Sequence, residues 1–132
     1  MDKVVHFEIP VSDLDEARKF YAIFGWSLED WKMPDGSVYV GVRTTPVDEK
    51  TRMPVEPGAI NGGIMKNNDQ VKNVKGAIIA INVPSIEEKM KQIEKAGGKV
   101  VMPKTDVMGM GFYAYFADPS GNLVGLWEDL KK

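Results

Sequence analysis

The sequence predicts an α+β fold, one domain over residues 1–132 built from two β-α-β-β-β modules, residues 1–66 and 74–130. Three observations predict it. Strand-like and helix-like stretches follow one another in the same order twice along the chain. A shift of 72 positions superposes Ile9 on Ile81, Val11 on Val83, Glu16 on Glu88, Lys19 on Lys91 and Gly25 on Gly97. A chain of 132 residues, 43% hydrophobic and 27% charged, is long enough for one core and short for two.

Each element has its own signal. Val4 to Val11 reads as a strand, after which Ser12 or Asp13 caps a helix with Leu14, Ala17, Phe20, Tyr21 and Phe24 on one face, and Gly25 ends it. Trp26 to Trp31 and Val38 to Val42 form a hairpin through Met33-Pro34-Asp35-Gly36, with proline and glycine where a type I turn favours them. The stretch from Thr44 to Pro57, rich in proline and charge, is long for a mere connection and reads as a lid, an arm or a solvated insertion. A strand from Ala59 to Lys66 closes the first module, and a polar linker runs from Asn67 to Asn73. The order then repeats: strand Gly76 to Val83, helix start at Pro84-Ser85, buried positions Ile86, Met90, Ile93 and Ala96, and a stop at Gly97-Gly98. Strands Lys99 to Met102, Gly111 to Ala117 and Asn122 to Glu128 complete it, the last two joined by the turn Asp118-Pro119-Ser120-Gly121. Towards the module ends the matching shift is 63, which sets Gly58 on Gly121 and Gly62 on Gly125, and the Thr44 to Pro57 loop absorbs the difference.

Composition narrows the function classes. The net charge of -2 comes from interspersed acids and bases, so no basic stripe is available for nucleic acid. With no cysteine there is no disulfide framework, thiolate metal site or thiol nucleophile. Neither a signal-peptide core nor a run long enough to span a bilayer is present, so a cytoplasmic protein without membrane partners is expected.

Val4-Val5-His6-Phe7-Glu8-Ile9-Pro10-Val11, followed by Asp13-Leu14, Phe20-Tyr21 and Phe24-Gly25-Trp26, resembles the opening of a glyoxalase or bleomycin-resistance module. Tyr115-Phe116-Ala117-Asp118-Pro119-Ser120-Gly121-Asn122 with Leu126-Trp127-Glu128 resembles its close. Together they resemble the vicinal oxygen chelate superfamily (glyoxalase, bleomycin-resistance and dioxygenase proteins) over essentially the whole chain. The resemblance implies a cupped mixed sheet, frequent homodimers, and activities that range from lyase, isomerase, epimerase and dioxygenase chemistry to simple sequestration of a small molecule.

The resemblance also implies four metal-ligand positions, His or Glu on the first and last strands of each module. They map here to His6, Ile78, Gly62 and Gly125, which leaves one donor where a transition ion wants about three. No metal and no cofactor are therefore expected. Glu8 faces the same way as His6 on a strand, so the pair are the candidate polar or catalytic groups, able to bind a polar substituent or move a proton without metal. Glu128, three residues past Gly125, should turn away from the cup by strand alternation. Gly62, Ile64, Ile78, Ala80, Tyr115, Gly125 and Trp127 are the expected lining of a mostly apolar ligand pocket. The leading expectation is a metal-free small-molecule-binding protein. The alternatives are an enzyme of lyase, isomerase or dioxygenase type, with a divalent metal at His6 or with His6 and Glu8 as acid and base, and a structural homodimer module.

Overall fold

The computed structural model describes residues 1–131. They divide into two compact units, one from His6 to Ala77, the other made of Met1–Val5 and the chain from Ile78 onward. The class is α+β, with eight strands and two α-helices among the described residues.

β1 (Lys3–Val11), which enters the first unit at His6, leads there into α1 (Leu14–Tyr21), then β2 (Ser27–Lys32), β3 (Val38–Arg43) and β4 (Asn61–Lys66). The strand order is β2-β3-β4-β1, with β1 parallel to β4 and the other neighbours antiparallel. Of the two candidate caps it is Asp13 that closes the α1 N-terminus, its carboxylate accepting the Glu16 amide at 3.1 Å. The helix stops at Tyr21 and tightens into a 3-10 turn over Ala22–Phe24, which ends on Gly25 at φ 73°, a conformation that favours glycine. That early stop corrects the expected apolar face: Ala17 is buried, whereas Phe20 and Phe24 are 56% and 57% exposed. Phe20 lies at the edge of the stripe, and the tighter turn carries Phe24 out of the α-helical repeat. Ala17, Val40, Val42 and Ile64 form the core beneath α1, with Phe7, Leu14, Tyr21 and Trp26 packed against it.

The proline-rich stretch after β3 folds back on itself. Val47 and Pro54 form an isolated antiparallel bridge, and the Asp48 carboxylate accepts the amides of Lys50 and Thr51. Asn61, the first residue of β4, anchors its start by accepting the amides of Thr44 and Thr45 and donating to the Thr45 carbonyl. The segment expected to be a polar linker holds one fully buried side chain, Val71, whose amide is held by the Asn68 side chain at 3.2 Å.

The second unit repeats the order of elements: β5 (Ile78–Asn82), α2 (Ile86–Lys95), β6 (Lys99–Asp106), β7 (Gly111–Ala117) and β8 (Leu123–Asp129). Its strand order is β5-β8-β7-β6, again with the first and last strands in chain order, β5 and β8, parallel. β6 runs on to Asp106, past the expected Met102, by way of register shifts on either side of Met102. Those irregularities accommodate Pro103, which has no N–H for a regular ladder. Val83, Ile86, Met90, Ala114 and Leu126 form the core beneath α2. Ser85 caps α2 by accepting the Glu88 amide at 3.2 Å. A second acceptor comes from far along the chain: the buried Glu128 carboxylate takes the Ile86 amide at 2.7 Å and a hydrogen bond from Lys104 at 3.0 Å. Among the described residues no helix is long and apolar enough to cross a membrane.

Candidate functional site

Strand alternation gives each unit a face toward its helix and a face away from it. On β1, Phe7, Ile9 and Val11 pack toward α1, so His6 and Glu8 project from the other face. On β3 the valines 38, 40 and 42 take the α1 side and Tyr39 takes the far side. There Tyr39 meets both β1 residues: His6 Nε2 lies 2.9 Å from Tyr39 Oη, which donates to Glu8 Oε2 at 2.9 Å. The imidazole and phenol planes are within 15° of parallel. Glu8 is only 5% exposed, so this is a carboxylate taken out of water and held by hydrogen bonds. Burial draws the His6 pKa below its ordinary value, with the Glu8 charge acting in the opposite sense, so the imidazole is neutral at pH 7.

A glycine makes this reach possible. β4 lies between β3 and β1, with Gly63 across from Gly41 on one side and Glu8 on the other. The Tyr39 ring passes over Gly63, where a Cβ would stand closer than 3.0 Å to Cε1, Cζ and Oη of the tyrosine. Trp31 lies over Gly41 in the same manner at ordinary contact distance.

The second unit carries an apolar counterpart. Tyr113 of β7 passes over Gly125 of β8, again where a Cβ would be too close to the phenol, and Gly125 pairs with Ala80 of β5. Tyr115 packs edge-on to Tyr113 with ring centres 5.1 Å apart, and Trp127 lies at 6.4 Å. The Trp127 indole N–H donates to Asp129 at 2.9 Å.

Of the residues read from the sequence, His6 and Glu8 come together through Tyr39. Ala80, Tyr115, Gly125 and Trp127 share the face of the second unit away from α2, and Ile78 is buried on the same side of β5 as Ala80. Gly62 and Ile64 do not join His6. Gly62 pairs with Phe7 and Val42 on the α1 face, where the Phe7 ring fills the place of its missing side chain, and Ile64 is core beneath α1. Register places Gly63, not Gly62, across from Glu8. Glu128 turns away from Gly125 and Trp127, as alternation requires, and serves the α2 N-terminus. Burial raises its pKa, but the Ile86 amide and Lys104 outweigh that and hold it below the usual carboxylate value. Tyr39 was missed by sequence reasoning; its one signal was an aromatic hydroxyl alternating with valines in Val38-Tyr39-Val40.

The donor set does not fit a divalent metal. Among the described residues no three His, Cys, Asp or Glu side chains converge, and His6 Nε2 is engaged by Tyr39. What the arrangement offers is a neutral imidazole, a phenol and a carboxylate in a single hydrogen-bonded line, bordered by Trp31 and Met65.

Residues 3–126 match the family model of the Glyoxalase/Bleomycin resistance protein/Dioxygenase superfamily. The "Putative glyoxylase CFP32" of Mycobacterium tuberculosis is 27% identical over 123 residues, covering 92% of this chain and 43% of the relative. The anthracycline biosynthesis protein DauV of Streptomyces sp. strain C5 is 28% identical over 133 residues, covering 92% of this chain and 45% of that protein. The chain thus spans less than half the length of these relatives. Among solved structures, methylmalonyl-CoA epimerase of Streptomyces coelicolor superposes with a TM-score of 0.67 at 17% identity, covering 98% of both chains. A superfamily member from Vibrio splendidus 12B01 superposes with a TM-score of 0.62 at 14% identity, covering 98% of this chain and all of the other. At these identities the likeness is one of fold.

Proposed function

The chain belongs to the glyoxalase/bleomycin resistance protein/dioxygenase superfamily, and from that membership we propose that it binds a small, partly apolar molecule without a metal. The polar end of the ligand is met by the His6-Tyr39-Glu8 line on the first unit. The observation that carries this reading is the hydrogen-bonded line itself, which engages the histidine at the position of a family ligand in a phenol contact, with no convergent donor set for an ion among the described residues. In the second unit the face away from α2 is aromatic, with Tyr113, Tyr115 and Trp127 packed together, and this composition supports an apolar, ring-bearing ligand. The exposed Phe20, Ile23 and Phe24 support homodimerisation.

Native mass spectrometry with elemental analysis on freshly purified protein tests the proposal. The expected result is a dimer that carries no stoichiometric nickel, zinc, iron or manganese and retains or accepts a small aromatic compound in the presence of EDTA. One tightly held ion per chain, with ligand binding lost on its removal, overturns it. The same line of groups favours metal-free proton transfer as a second reading, separated from simple binding by His6→Ala: turnover lost with the fold intact speaks for catalysis.

A further inference from the structure

The Tyr39 hydroxyl carries one proton, and that proton points at Glu8 Oε2. A phenol oxygen that donates its one proton to Glu8 can only accept from any further neighbour. His6 Nε2, 2.9 Å away, must therefore carry the hydrogen of the imidazole and donate it to Tyr39 Oη. In the neutral ring this leaves Nδ1 as the bare nitrogen. Nδ1 takes part in no hydrogen bond among the described residues, and no side-chain nitrogen or oxygen among them is both buried and without a partner. Nδ1 is therefore not sealed off from solvent. From this geometry, and resting on the binding role proposed above, we infer that Tyr39 is a positioning residue that fixes His6 in the Nε2–H tautomer and presents Nδ1 as an acceptor for a ligand hydroxyl or N–H.

The chemical class follows from polarity. A lone acceptor selects ligands that bring a donor, such as phenols, enols and N–H heteroaromatics, and a group that can only accept leaves Nδ1 unpaired at a cost. Gly63 is part of the same device, since any side chain there displaces the phenol that sets the tautomer. If the ligand proton moves, it moves from the ligand's O–H or N–H to Nδ1, and the ligand keeps the electron pair as an oxyanion or nitrogen anion. The imidazolium then keeps Nε2–H on Tyr39 and, through the phenol, the support of the Glu8 carboxylate.

The chain has one histidine, so nitrogen-15 NMR of the imidazole reads this site without assignment. In the ligand-free protein at neutral pH, Nε2 is expected as the protonated nitrogen and Nδ1 as the bare one. The opposite tautomer overturns the inference whatever the protein binds. Tyr39→Phe should speed solvent exchange of the Nε2 proton about fivefold, the factor one ordinary hydrogen bond is worth; an unchanged rate in a folded variant also overturns it. 4-Fluorophenol should shift the Nδ1 signal, while 4-fluoroanisole, which has the same ring without the donor, should not. Equal shifts from both probes, or none from either, refute the donor selection. The tautomer result stands apart from these, so failure of the binding role and failure of the Tyr39 assignment are distinguishable.

Discussion

Replacing Gly63 with alanine perturbs the candidate site without touching any of its polar groups. The added methyl stands closer than 3.0 Å to Cε1, Cζ and Oη of Tyr39, so the ring has to leave. It can swing outward only by giving up its hydrogen bonds to His6 and to Glu8. The first is worth about 1 kcal/mol, and the second, to a buried carboxylate, about 1.5–3 kcal/mol. Alanine returns about 0.5 kcal/mol through reduced chain entropy, so the expected loss is about 2–3.5 kcal/mol. With a urea slope of about 1.5 kcal/mol/M, a loss of about 3 kcal/mol lowers the midpoint by about 2 M. Gly41→Ala is the matched control, because its methyl meets Trp31 Nε1 at an ordinary 3.4 Å. A double-mutant cycle isolates the cause: in a Tyr39→Ala background, Gly63→Ala should cost nothing or stabilise slightly. Urea unfolding of the four proteins decides it. A Gly63→Ala cost below about 0.5 kcal/mol, or the same cost with and without the tyrosine ring, refutes the reasoning.

Two further outcomes follow from the electrostatics. Because burial lowers the His6 pKa, the unfolded chain binds more protons than the folded one once pH drops below the ordinary imidazole value of about 6.5. Stability attributable to His6 is therefore full above about pH 6.5 and falls as pH moves down toward the folded value; urea midpoints at about pH 7.5 and pH 5 should differ less in His6→Gln than in the parent. Glu128 has the matching sign for a carboxylate: its folded pKa is depressed, so its contribution is present above about pH 4.5 and is lost as pH falls through the folded value. Glu128→Gln should cost about 1–2 kcal/mol at neutral pH and flatten the acid limb of the thermal denaturation profile, and an unchanged acid limb would contradict the capping role.

The order of elements was legible because each rests on local chemistry: Asp13 and Ser85 at helix starts, Gly25 at a left-handed stop, and period-two alternation along β1, β3 and β7. His6 and Glu8 were legible as a pair for the same reason, being two apart on one strand. What could not be read was register between strands distant in sequence. Counting forward from the turn glycines pointed to Gly62, and a slip of one residue on a strand exchanges its two faces. The hydrogen-bond ladder puts Gly63 beside Glu8, and only that ladder reveals that Tyr39, over thirty positions away, closes the line between His6 and Glu8. Ile64 was misjudged by the same parity. The ends of α1 and β6 depended on a tightened turn and on register shifts around a proline, neither of which periodicity reports.

Glu128 gives α2 an acceptor that the chain makes 42 residues after the amide it receives. A ten-residue helix is too short to persist alone in water, so α2 has only Ser85 to hold its first turn until β8 is in place. β8 in turn lies between β5 and β7, the first and the next-to-last strands of its unit. Order in this half of the molecule therefore arrives late and together: docking of the final strand seats a sheet partner on both sides and supplies the helix with its missing acceptor in the same event. Folding of this half is tied to a contact of long sequence separation, which sets its pace by chain topology rather than by helix propensity.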